Sequence, residues 1–312
     1  MEHATHHVPV LKEETLLLLE VKPGGRYIDG TMGLGGHSEA LLEGSSPDGV
    51  LLGVDRDPEA LRRSAARLAA YGARVTMVHG NYADLPNLAQ GTSFVGVDGI
   101  LLDLGVSSMQ LDDANRGFSF MRDGPLDMRM DSTQSITAAD LVNGLSESDL
   151  ANTIYQYGEE PASRRIASAI VRERQVEPIT ATGRLASIVS AAKGGRSGKV
   201  HPATQTFQAL RMAVNEELDG LRRGLDGALE LLRPGGRLAV ITFHSLEDRE
   251  VKHCFREHVV REESLPQGGA RKIGRKPYVT WVNKKAMTAS DTEIRANPRS
   301  RSAKLRVVER ID

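Results

Sequence analysis

Ile28-Asp29-Gly-Thr-Met-Gly33-Leu-Gly35-Gly36-His37-Ser38 is the stretch that decides how this chain folds. A short apolar strand, Arg26-Tyr-Ile-Asp29, runs into a glycine-rich turn, and a helix from about His37 to Glu43 follows. Glycines let a backbone come close to a ligand, and a helix start offers unpaired N–H groups. A second buried strand, Val50-Leu-Leu-Gly-Val-Asp55, ends in a carboxylate 20 residues after Gly35. A carboxylate there can accept two hydrogen bonds from ribose hydroxyls, so turn and Asp55 together describe a nucleoside site.

Outward from this turn the rhythm continues. Pro58 suits the first turn of a helix running to about Ala70, and Val75 to Val78 and Gly99 to Asp103 read as further strands. Strand, helix, strand at this spacing predicts βαβ units and a doubly wound, mostly parallel sheet. After Asp103 the rhythm breaks until Gly236-Arg-Leu-Ala-Val-Ile-Thr-Phe243. A parallel crossover needs only a dozen or more residues, so something is inserted. Helical fragments at Ser146 to Tyr157, Ala162 to Arg174 and Thr182 to Ala192 mark it as a helical subdomain. The expected division is 1–110 with 202–312 as the sheet domain, and 111–201 as the insertion.

Phe207, Leu210, Val214, Leu218, Leu221, Leu225, Leu229 and Leu232 step by three or four, predicting one long helix from about Ala203 to Leu232. Arg233-Pro-Gly-Gly236 should stop it. A helix from about Ser245 to His258, a Gly- and Lys-rich loop and two strands near Tyr278 to Val282 and Lys304 to Val308 complete the chain.

Composition narrows the class. The 312 residues carry 40 basic and 41 acidic side chains, with 40% hydrophobic residues, as expected of a globular protein large enough for a sizeable core. One cysteine, Cys254, excludes an internal disulfide framework and points to a reducing, cytoplasmic compartment. No stretch approaches the roughly 18 to 20 apolar residues that span a bilayer, so no membrane partner is expected. The near-neutral total hides an asymmetry: Arg261 to Asp312 holds 13 basic against 6 acidic residues, leaving 27 against 35 for the rest. A basic end on an acidic body is a nucleic-acid footprint or simply a solvated surface.

The glycine turn is not a dinucleotide fingerprint, since reading from Gly33 the last glycine position is Ser38. A phosphate-binding loop is not met at Gly194-Gly-Arg-Ser-Gly198-Lys199-Val200 either, where Val200 replaces the metal-binding hydroxyl. Asp29 before the glycines suits a cationic ligand better than a pyrophosphate, and the sulfonium and ammonium of S-adenosylmethionine fit. Asp103, ending the fourth strand, faces the ligand crevice in an open parallel sheet. It can hold a cofactor ammonium, hold an acceptor's amino group, or merely cap the turn.

At this point the residues closely resemble the bacterial small-subunit ribosomal RNA cytosine-N4 methyltransferases, the MraW or RsmH family. The resemblance runs through His7-Val-Pro-Val-Leu11, Asp29-Gly-Thr-Met-Gly-Leu-Gly-Gly-His-Ser38, Val54-Asp-Arg-Asp57 and Asp98-Gly-Ile-Leu-Leu-Asp-Leu-Gly-Val-Ser-Ser-Met-Gln-Leu-Asp112. It continues in Gly117-Phe-Ser-Phe120, Gly124-Pro-Leu-Asp-Met-Arg-Met130, Tyr157-Gly-Glu-Glu160 and His201-Pro-Ala-Thr-Gln-Thr-Phe-Gln-Ala-Leu-Arg211. Val214-Asn-Glu-Glu-Leu218, Phe243-His-Ser-Leu-Glu-Asp-Arg249 and Asn297-Pro-Arg-Ser-Arg-Ser-Ala-Lys-Leu-Arg306 close the series.

The resemblance implies a class I S-adenosylmethionine-dependent methyltransferase fold, Rossmann-like, with a helical insertion after the fourth strand. It implies methyl transfer from S-adenosylmethionine to the N4 amine of a cytosine in the decoding region of 16S ribosomal RNA. The partner is then the small ribosomal subunit; the sequence leaves monomer and homodimer both open. Carried over by position, the cofactor contacts are Gly35, Gly36, His37, Asp55, Tyr82, Asp103 and Gln110, with Tyr82 standing where relatives have Phe.

Cytosine N4 is a poor nucleophile because its lone pair is delocalised into the ring, so an acceptor for its N–H bonds helps it react. Asp103 in Asp103-Leu-Gly-Val106 is the candidate catalytic acceptor, although the aromatic that often follows such an acidic residue is missing. Phe118 and Phe120 are candidates to replace it, or are core. His244 is the second catalytic candidate, as a base or a phosphate contact. Ser245 reads as a helix N-cap with Asp248 closing a capping box. Arg271, Lys272, Arg275, Lys276, Lys284, Lys285, Arg295, Arg299, Arg301 and Lys304, with Arg184, Lys193, Arg196 and Lys199 of the insertion, are candidates for gripping phosphate. No metal site is expected. A non-catalytic RNA-binding assembly factor, an amine methyltransferase acting on DNA and a dinucleotide oxidoreductase stand as alternatives.

Overall fold

The structure is a computed structural model and describes residues 9–92, 94–195, 200–264 and 270–312. His7, Val8, Arg196 and Lys199, and the side chains of Arg271 and Lys272, lie outside the described residues. The chain forms two compact units, 1–105 with 218–312 and 106–217.

In chain order, the first segment of the discontinuous unit contains α1 (Lys12–Leu18), β1 (Arg26–Asp29), α2 (Gly36–Gly44), β2 (Val50–Asp55), α3 (Pro58–Leu68), β3 (Val75–His79), α4 (Leu85–Thr92) and β4 (Val97–Asp103). The other unit holds α5 (Ser108–Asp112), α6 (Ala138–Gly144), α7 (Glu147–Gly158), α8 (Ser163–Arg174), α9 (Thr182–Ala192) and α10 (Thr204–Val214). The chain then returns through α11 (Glu217–Leu231), β5 (Leu232–Thr242), α12 (Ser245–His258), β6 (Arg261–Ser264), β7 (Ala270–Ile273), β8 (Val279–Trp281), α13 (Asp291–Ala296) and β9 (Lys304–Arg310).

Seven strands form one sheet in the order β3-β2-β1-β4-β5-β9-β8. Strands β1 to β5 run parallel, and β9 is antiparallel to both β5 and β8. This is the doubly wound, mostly parallel architecture the class I fold requires. Its strands read as apolar runs because both faces are covered. On one face Ile28, Leu52, Val54, Ile100 and Leu102 pack with Leu221, Leu225 and Leu229 of α11 and Val251 and Phe255 of α12. On the other, Tyr27, Leu51, Leu101 and Ile241 pack with Leu41 and Leu42 of α2. Each such fully buried Leu or Ile contributes about 2 kcal/mol of transfer free energy.

The register decides where the chemistry gathers. Asp29 pairs with Gly53 on one side and Leu101 on the other. Asp55 and Asp103 therefore sit two residues further along their strands, and three carboxylates crowd one edge of the sheet.

Four expectations need correction. The single helix from Ala203 to Leu232 is two helices, α10 and α11, because Glu216 adopts left-handed backbone, φ 48°, through which a right-handed helix cannot run. The seams between the compact units fall at 105/106 and 217/218 rather than at 110/111 and 201/202, since α10 packs with α7 inside the inserted unit. Arg233-Pro-Gly-Gly236 does not separate helix from strand: β4 pairs Val97 with Leu232 and Gly99 with Arg237, so this segment bulges out of β5. The segment read as a Gly- and Lys-rich loop contains the β6–β7 antiparallel pair.

Inside the inserted unit, Leu150, Ile154, Ile166, Ile170, Leu185 and Leu210 form the core, and Phe118 is buried among them. Phe120 is half-buried, its ring 4.8 Å from Phe207 and 4.5 Å from His201. Asn215 ties the unit's end to its beginning. Its Oδ1 accepts the Met130 N–H at 2.8 Å, and its Nδ2 donates to the Met128 and Arg211 carbonyls, each at 2.8 Å. Asn215→Ala orphans these buried backbone groups, and we expect a loss of about 2–4 kcal/mol of stability in urea unfolding. An unchanged midpoint would show that they find other partners.

Candidate active site

Each strand-end carboxylate first does local work. Asp29 is buried; one oxygen accepts the Ser38 hydroxyl at 2.7 Å and the other the Thr31 N–H at 3.2 Å, folding the glycine turn back onto α2. Burial, with the Asp55 charge adding, pushes its pKa up to about 6. Asp55 accepts the Gly33 N–H at 2.6 Å on one oxygen and the Asp57 N–H at 2.8 Å on the other. Burial raises its pKa too. The ribose contact expected of Asp55 must therefore use its remaining lone pairs.

The glycines are fixed by packing as well as by conformation. Gly35 has φ +77°, and a Cβ on Gly36 would meet Pro9 Cγ at 2.6 Å. No side chain of the N-cap Gly35 caps α2. His37, in its first turn, is buried with Nε2 3.6 Å from Asp103 Oδ2.

Asp103 is the electrostatic centre. Its backbone N–H donates to Thr31 Oγ1 at 2.6 Å. Its Oδ1 is buried without a hydrogen-bond partner. Burial, with Asp29 and Glu247 repelling its charge, pushes the pKa up to about 8. An uncompensated carboxyl of this kind favours a cation. Tyr82 opens a short turn, its ring against α11 at Gly224, where a Cβ would come within 2.5 Å of Tyr82 Cδ2. Gln110 belongs to the inserted unit and closes a capping box on α5: it accepts the Ser107 N–H at 3.0 Å, and Ser107 Oγ accepts the Gln110 N–H at 3.2 Å.

The geometry reassigns the cap of α12. The N-cap of α12 is His244 rather than Ser245, and Glu247 rather than Asp248 closes the box. His244 Nδ1 accepts the Glu247 N–H at 3.4 Å, and its Nε2 lies 3.0 Å from Glu247 Oε1. The ring is thereby fixed at the start of α12 with a carboxylate beside Nε2. Asp248 instead pairs with Arg306 at 2.6 Å and Lys304 at 3.2 Å. The buried Glu247, which sequence reasoning missed, also accepts the Phe243 N–H at 2.9 Å.

A family model described as the MraW methylase family matches residues 4–311. The chain belongs to that family. Ribosomal RNA small subunit methyltransferase H of Syntrophobacter fumaroxidans is 51% identical over 98% of this chain and 97% of that protein. Its counterparts from Symbiobacterium thermophilum and Thermomicrobium roseum are each 50% identical over 99% of this chain, covering 98% and 94% of those proteins. Among solved structures, TrmN from Thermus thermophilus aligns over 96% of this chain and 48% of that one, at TM-score 0.45 and 13% identity, too loose an overlay to carry an argument. As a methylase of this family, the chain takes its methyl group from S-adenosylmethionine.

Elsewhere in this methylase, Asp226, Cys254 and His258 bring three metal-ligand atoms within 4.8 Å of one another, a cluster sequence reasoning did not see. The Asp226 carboxylate is already held by Arg275 at 2.9 Å and approached by Arg222 at 3.4 Å, so guanidinium charge stands where a cation would. Several expected phosphate contacts are likewise committed: Arg184 pairs with Glu177 at 3.0 Å, Lys193 with the buried Glu160, and Arg275 with Asp226. Lys284, Lys285, Arg295, Arg299 and Arg301 are exposed. No helix among the described residues is long and apolar enough to cross a membrane.

The Asp103 shift has a definite sign. Its folded value, about 8, lies above the ordinary 3.8, so its ionisation costs the native state increasingly as pH rises between them. Without cofactor, Asp103→Asn should melt together with the wild type near pH 4 and above it at pH 8. Coincident melting at both pH values would remove the carboxyl from its buried, anionic setting.

Proposed function

We propose that this methylase transfers a methyl group from S-adenosylmethionine to the N4 amine of a cytosine in the decoding region of small-subunit ribosomal RNA. The observation that carries the reading is Asp103, whose buried Oδ1 lacks a partner at the end of β4 and whose surroundings disfavour its own charge. The relatives' names supply the ribosomal substrate.

In this reading, Gly35, Gly36 and His37 approach the cofactor from the turn and the start of α2, Asp55 takes the ribose and Tyr82 packs on the adenine. Bound S-adenosylmethionine supplies an electrophilic methyl carried on a sulfonium. Most of the protein's contribution is then positioning, since a displacement of this kind needs nucleophile and methyl held in line. Asp103, ionised by a nearby cation, accepts an N–H of the amine and stabilises the positive charge that grows on nitrogen. His244, held at the start of α12 beside Glu247, is the second catalytic candidate, as a base for the released proton or a phosphate contact. The exposed lysines and arginines of the basic C-terminal region grip phosphate, and the target base must be unstacked to reach the crevice. The site of action is the cytoplasm, with the small subunit.

The test is radiolabelled methyl transfer to small subunits from cells lacking the modification, with naked ribosomal RNA and duplex DNA alongside and nucleoside analysis of the product. We expect N4-methylated cytidine from the subunit, and at least about a hundredfold loss of rate in Asp103→Ala. Label at another atom, on DNA alone, or on nothing despite tight cofactor binding would overturn the reading.

A further inference from the structure

One side chain in the glycine turn completes the sheet's hydrogen bonding where the strand has already ended. The parallel ladder between β1 and β4 runs past the end of β1, where Gly30 N–H donates to the Leu101 carbonyl at 2.9 Å. Continued by one step, it would bring the Asp103 N–H onto a strand carbonyl. The chain has turned away by then, and the Thr31 hydroxyl stands in for that carbonyl at 2.6 Å. The Thr31 N–H, in turn, donates to Asp29 Oδ1 at 3.2 Å. Beyond Asp103 the chain is caught again, with Leu104 N–H donating to the Ile241 carbonyl at 3.0 Å.

We infer that Thr31 is a positioning residue of the methyl-transfer site: its hydroxyl holds the Asp103 end of β4 to the glycine turn, while its N–H ties that turn to the Asp29 carboxylate. The inference rests on the reading above that Asp103 faces the cofactor and the acceptor amine. The hydroxyl oxygen is the acceptor that the missing strand carbonyl would have been. The β-branched side chain adds a stiff χ1, which keeps that oxygen aimed at the Asp103 N–H. Valine has the same shape and no acceptor.

The consequence reaches the charges. Asp103 faces Asp29 from β1, Glu247 from α12 and His37 from α2, while Asp55 on β2 faces Asp29. A cationic ligand needs these carboxyls ionised, so its affinity in the wild type should rise as pH passes from about 6 to about 8.

The experiment is calorimetric titration with S-adenosylmethionine between about pH 6 and pH 9 on the wild type, Thr31→Ser, Thr31→Val, Thr31→Ala and Asp103→Asn, with melting curves and turnover on small subunits. Thr31→Ser should retain most of the affinity. Thr31→Val should bind about tenfold more weakly at pH 7 and lose turnover even at saturating cofactor. If Thr31→Val behaves as wild type at every pH while Asp103→Asn is defective, the inference on Thr31 is wrong and the site reading stands. If Asp103→Asn also binds and turns over as wild type, the site reading itself fails. Should Thr31→Val not fold, Thr31→Ala carries the same comparison. Hydrogen exchange of the Asp103 amide in the wild type is a further check: protection supports the bond, and exchange as fast as in exposed turns overturns it.

Discussion

The structure depends on burying negative charge at the ends of parallel strands. Three neighbouring strands each finish in an aspartate, and the register gathers them at one edge. Left in water they would be ordinary; in this setting burial raises the pKa of all three. Asp29 and Asp55 offset that cost by accepting N–H and hydroxyl donors from the glycine turn, which shapes the turn itself. Asp103 receives less compensation, and the residual imbalance makes the edge a place for a cation. Turn, helix start and electrostatics are therefore one arrangement.

Much of this is legible in the amino-acid sequence alone. Buried parallel strands show as apolar runs, and β1 and β2 carry their boundaries in Arg26–Asp29 and Val50–Asp55. The helix from Ser245 to His258 is likewise readable. Where the sequence misleads, the cause is a competing pattern. Apolar residues keep stepping by three or four across Asn215 and Glu216, so periodicity hides a break made by one left-handed residue. Ser245 has the common chemistry of a cap and stands one residue too late, while an imidazole does the capping.

The site shows the same division. Aspartates at strand ends can be found from alternation and position, because a parallel sheet sends its carboxyl ends to the crevice. Glu247 gives no such signal, since a buried glutamate on the first turn of a helix looks like any acidic first-turn residue until the fold places it against Phe243 and His244. The basic residues are countable yet not assignable, because whether an arginine is available depends on which carboxylate the fold brings to it, as Glu177 does for Arg184.

The burial of Cys254 reaches beyond the site. The only thiol in the chain is fully buried beside Asp226, and burial pushes its pKa up to about 12. A thiol held neutral and out of water is a poor nucleophile and a poor target for oxidants. It becomes reactive only when the packing between α11 and α12 opens. One residue thereby serves as a built-in clock: the rate at which an added alkylating reagent consumes it reads out how often this methylase opens its own core.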